Sequence, residues 1–163
     1  MTMTMTDDQK QAALDALTRE VSDALGEAWS IGTTSYGSLR IKHQTAPVYL
    51  TLTQGWRQKP DTVKVSGYTT ILRDGAHSQG YYPDDLRHMD GYEPMDLEAN
   101  ISTKKTPEHI AADIVRRIMG DLFRLGSLAE KRHAEVTEYN DAVTDQMTRT
   151  AAALGGTVGQ RYH

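Results

Sequence analysis

Cysteine is absent from the 163 residues. That excludes a disulfide framework, a thiolate metal site and a cysteine nucleophile, and makes a reducing cytosol the simplest setting. Long apolar runs are missing as well, since no stretch approaches the roughly eighteen residues of a membrane span. The start, Met1-Thr2-Met3-Thr4-Met5-Thr6-Asp7-Asp8, has neither the basic segment nor the apolar core of a secretion signal. A cytoplasmic protein of a host cell, without a membrane partner, is the expectation.

Catalytic signatures are also lacking. No serine sits in a G-x-S-x-G turn, and Gly75, Gly80 and Gly91 are not spaced as a phosphate loop. Pro83-Asp84 followed by Glu98-Ala99-Asn100 has the outline of a PD-(D/E)xK nuclease. Asn100, however, stands where a lysine would be needed to activate metal-bound water. A non-enzymatic protein with no cofactor and no metal is the favoured reading. A metal-dependent enzyme stays open as an alternative if His77, Asp84, Asp85 and His88 converge, Pro83 starting a helical turn that puts Asp85 and His88 on one face.

What the chain does contain is periodic. Thr6 with Gln9 forms a capping box, and Leu14, Leu17, Val21, Ala24 and Leu25 recur at helical spacing up to Gly26, which predicts a helix over 7–25 with Asp15, Thr18 and Ser22 on its solvated face. From Ala28 the period becomes two. Trp29, Ile31 and Thr33, then Leu39, Ile41 and His43, read as a hairpin, with Arg40 and Lys42 on the outer face. Val48, Leu50 and Leu52 form a third strand, Val63, Val65 and Ile71 a fourth with a bulge near Gly67, and Leu97, Ala99, Ile101 and Thr103 a fifth.

Thr106-Pro107-Glu108 opens a second helix whose stripe runs through Ile110, Ile114, Ile118, Leu122 and Leu125, thickened by Ala111, Val115 and Phe123. Gly126-Ser127 reads as a break before a further helix to about 153. Its apolar residues, Val136, Tyr139, Val143 and Met147, are sparse. The fold class is α+β, a single domain over 1–153 with an N-terminal helix, about five mostly antiparallel strands and a long C-terminal helical segment on the sheet. Residues 154–163 form a flexible tail.

Charge is unevenly placed. Residues 38–64 hold Arg40, Lys42, Arg57, Lys59 and Lys64 against Asp61, whereas 74–98 hold seven acids against Arg87. The basic block, with Trp56 beside Arg57 and Lys59, suits nucleic-acid phosphate. It equally suits a strand face protected from association. The loop over 73–96 is long, acidic and aromatic. Tyr81, Tyr82 and Tyr92 among Asp84 and Asp85 could bind a basic protein surface, or the tyrosines could fold back and hold the loop down. The sparse stripe over 128–153 could pair between subunits.

The segment from Ile101-Ser102-Thr103 through Thr106-Pro107-Glu108-His109-Ile110-Ala111-Ala112-Asp113-Ile114-Val115-Arg116-Arg117-Ile118 resembles a strand-to-helix pattern, S/T-P-x-x-I-A-x-D-I-x-R-R, of small proteins of actinobacterial phages and mobile elements. Gly55-Trp56-Arg57 and Asp61 to Gly67 are similar to their middle strands. The likeness covers roughly 27–140. It implies a mobile-element origin and no particular activity, and it carries over no functional residue. Together these features favour an accessory protein that binds a host or viral macromolecule, a protein before a nucleic acid, with inhibition of host defence as one such role. A virion or assembly component is the third alternative.

Overall fold

Thr6 caps the first helix from both sides. Its hydroxyl accepts from the Gln9 N–H at 3.2 Å, and its own N–H donates to Gln9 Oε1 at 2.9 Å. A computed structural model describes residues 5–34, 36–55, 61–73 and 79–155. From the cap runs α1 (Asp7–Leu25), followed by β1 (Trp29–Thr33), β2 (Leu39–His43), β3 (Val48–Gln54), β4 (Thr62–Thr69), a 3-10 turn (Pro83–Leu86) and β5 (Glu98–Ser102). The chain closes with α2 (Pro107–Ile114), a π turn (Val115–Met119) and α3 (Gly120–Ala153). The strands form one antiparallel sheet in chain order, so the fold is α+β.

The helices share one face of the sheet. Val21 of α1, Ile110 and Ile114 of α2, Ile118 and Leu122 meet Ile41, Leu50, Val65 and Ile101 in a common core. Each such side chain contributes roughly 1.5–3 kcal/mol by leaving water. The buried side of α1 differs from expectation: Thr18 and Ser22 are buried, while Ala24 is exposed. The Thr18 hydroxyl stays satisfied by donating to the Leu14 carbonyl at 2.8 Å. α1 packs both on α2 and on the first three strands, which leaves little of its surface free.

Two glycines read as irregularities prove to be keyholes. Gly67 pairs regularly with Leu50, so β4 has no bulge there, and a Cβ at Gly67 would stand 2.9 Å from Leu122 Cδ1. Gly126 does not break the helix. α3 runs unbroken through it, and a Cβ there would stand 2.7 Å from Val48 Cγ1. In both places the missing side chain admits a neighbour.

The π turn solves a phase problem. Ile110, Ile114, Ile118 and Leu122 lie four apart, and on an α-helix of 3.6 residues per turn such a row drifts about 40° at each step. One wider turn absorbs the drift, and all four are buried to 1% exposure or less. Val115, expected in the core, is 55% exposed instead.

A second core lies where the loop after β4 returns. Tyr81, Leu86 and Met89 pack on Leu125, Leu128 and Ala129, and Ile71, Tyr92 and Met95 rest against them. Leu72 bridges Gly80 across the loop's base.

Candidate functional site

Three regions hold the residues singled out from sequence. In the loop, Tyr81 is buried and Tyr92 half-buried against the second core, so both rings hold the loop down; Tyr82 remains exposed. Its N–H donates to Asp85 Oδ2 at 2.8 Å, and Asp85 also faces Arg73 at 3.8 Å. Asp84 pairs with Arg87 at 2.8 Å. Arg124 of α3 reaches Glu93 at 3.1 Å and the Pro94 carbonyl at 3.2 Å, and it also pairs with Asp121. The acids that made this segment look like a lure for a basic partner are thus largely answered within the chain. Among the described residues no three His, Asp or Glu side chains gather as a metal site would require. His88 is exposed, and His77 lies outside the described residues.

On the sheet, the side chains alternating with the core form the opposite face, where Ser66 is itself buried. Arg40 and Lys42 project there as expected, whereas Trp56, Arg57 and Lys59 lie outside the described residues. Tyr49 and Tyr68, opposite each other in register, stack at 5.3 Å between centroids and 25° between planes. The Arg40 guanidinium lies 4.9 Å from the Tyr49 centroid, a cation–π contact. Both faces of Tyr49 therefore have neighbours. Burial pushes its hydroxyl above the ordinary phenol pKa, with Arg40 offsetting part of that rise. Lys64 answers Glu98 at 3.3 Å. Among the described residues Arg40 and Lys42 have no acidic partner.

The β2–β3 ladder consists of Ile41↔Leu50 and Lys42↔Tyr49. Beyond Ile41 the strands part, leaving Leu39 and Leu52 out of the ladder. A cleft of about 670 Å³ opens there, bordered by Thr33, Arg40, Thr51 and Thr53 of the sheet and by Leu14 and Thr18 of α1. Sequence reading missed Tyr68 because the bulge expected at Gly67 obscured its phase. Outward-phase tyrosines on neighbouring strands were the available signal, and only the register brings them together.

The third region is the far half of α3. Its last buried residue is Ala129, and beyond it the helix is exposed on nearly every side. Residues 130–153, at about 1.5 Å each, extend roughly 36 Å. Val136, Tyr139, Val143 and Met147 lie within about 40° of the direction of Leu125. They prolong the stripe that packs on the body. Yet Tyr139 is 69% exposed, Val143 40% and Met147 39%. Glu135, Glu138, Asp145 and Arg149 line one flank, and Thr137, Asn140, Thr144 and Thr148 the other. Leu154 and Gly155 form a closing turn; 156–163 lie outside the described residues. Among the described residues no helix is long and apolar enough to cross a membrane.

Comparison of the chain with protein-family models, with curated proteins and with solved structures finds no match.

Proposed function

We propose that this chain is a non-enzymatic binding protein, an accessory of a phage or mobile element in the host cytoplasm, that engages another protein chain of host or viral origin through the far half of α3. One observation carries this reading: an apolar stripe continuous with the core leaves the body uncovered. Tyr139 supplies large contact area at low entropic cost. Flanking charges keep such a helix soluble and select its partner. The test compares tagged wild type with a Tyr139→Glu, Val143→Glu variant in the native cell. A specific protein captured by the wild type and lost with the variant, at unchanged thermal stability of the variant, is the expected result. Equal capture by both refutes the surface.

A second reading rests on the outer sheet face. Arg40 and Lys42, without acidic partners among the described residues, stand beside stacked tyrosines whose covered rings favour phosphate contact over base stacking. Fluorescence anisotropy with labelled single-stranded and duplex oligonucleotides tests it. Salt-sensitive binding weakened by Arg40→Ala and Lys42→Ala supports it, and no binding at low salt removes it.

A further inference from the structure

The far half of α3 has a symmetry that specifies its occupant. Resting on the reading that this half docks a protein, we infer that the chain docked there is a second copy of this one, its α3 running antiparallel about a two-fold axis at Ala142.

Glu135, Ala142 and Arg149 are spaced seven apart on one flank of the stripe, beside Tyr139. In an antiparallel pair of identical helices this flank meets itself, so the residue facing Glu135 is Arg149 of the second copy when the axis passes Ala142. Two symmetric ion pairs then close over a small residue at the crossing. Arg149 is already held by Asp145 at 3.0 Å, which leaves its guanidinium in an acidic setting on the same flank. Tyr139 of each copy packs on Val143 of the other. Val136 and Met147 form the outer layers.

Length gives the same axis independently. The exposed stretch begins after Ala129 and ends in the turn at Leu154. Its midpoint is again residue 142. Antiparallel overlap about that point lays each exposed half along the other from end to end, and each helix terminus stops where the partner's helix enters its folded body. A parallel pair in register would set Glu135 against Asn140 and Arg149 against Leu154, forming no ion pair, and would crowd both bodies at one end.

Sedimentation over a concentration series reads the oligomeric state. The wild type is expected to be a dimer and the Tyr139→Glu, Val143→Glu variant a monomer. Glu135→Arg and Arg149→Glu each weaken dimerisation roughly two- to thirtyfold, since two exposed pairs are lost at once, and the double exchange restores it. The chain has no cysteine, so orientation can be read by oxidation of engineered thiols. Glu135→Cys mixed with Arg149→Cys is expected to cross-link, and neither does so alone. Cross-linking of Glu135→Cys with itself overturns the antiparallel arrangement. A wild type monomeric at all concentrations overturns the second copy as occupant. If the stripe variant then still loses a captured protein, docking by α3 survives without self-association, and if it loses nothing, both fail.

Discussion

The two ends of α3 carry one stripe under two conditions. From Leu122 to Ala129 it lies on the sheet and the returning loop, and Leu122, Leu125, Leu128 and Ala129 are buried, while Phe123, expected in the stripe, is 36% exposed. From Val136 to Met147 it keeps the same direction, and Tyr139, Val143 and Met147 are exposed. Helical structure alone therefore says little about burial. The near end is fixed by tertiary packing. The far end depends on local hydrogen bonds and pairs such as Asp145–Arg149, which in isolation hold a helix only marginally.

The sharpest way to separate the ends is truncation. Leu122→Ala is expected to cost about 2–5 kcal/mol in urea unfolding, the range for a fully buried leucine. Gly126→Val follows, at about 1–3 kcal/mol, because its side chain would collide with Val48. A third comparison uses pH. Hydrogen bonds from Lys105, then Arg116, hold the Asp113 carboxyl below its ordinary value of 3.8. The stability it contributes is present above that value and is lost as pH falls through the lower folded pKa. Asp113→Asn should thus melt below wild type at neutral pH, with the gap closing once the medium is more acidic than pH 3.8. Smallest of all, Tyr139→Ala should change stability by no more than about 0.5 kcal/mol in dilute solution. Hydrogen exchange would draw the same boundary, with slow amides up to Ala129 and fast ones beyond in the monomer.

Much of this fold was legible from residues with local meaning. Thr6 with Gln9 and Thr106 with Pro107 mark helix starts through bonds made within one turn. The alternation in β1 to β5 placed the core residues because period two is a property of the strand itself. What escaped was decided across the molecule. Gly67 and Gly126 look like breaks in one dimension, but in three they make room for Leu122 and Val48. Thr18 and Ser22 look solvated in the sequence and are buried in the fold. At the candidate sites Arg40 and Lys42 were legible as outward residues and the far stripe as unpartnered. The choice between a docking and a folded-back Tyr81 was not, since it depends on Leu125 and Leu128, more than forty positions along the chain. Nor was the stacking of Tyr49 on Tyr68, which depends on strand register.

The π turn at Val115–Met119 has a consequence for how this molecule can vary. A π turn is an α-helix with one residue too many, so removing one residue there would restore a regular α-helix and leave everything downstream on its bearing, whereas a deletion in regular helix turns it by about 100°. A deletion just after the π turn would instead carry Leu122 off the sheet and Leu125 off the loop, and swing the Tyr139–Val143 surface to a new bearing. The chain thus has a point at which a one-residue deletion shortens it without rotating its outer arm. Lineages that lose the extra residue can therefore keep the arm's aim.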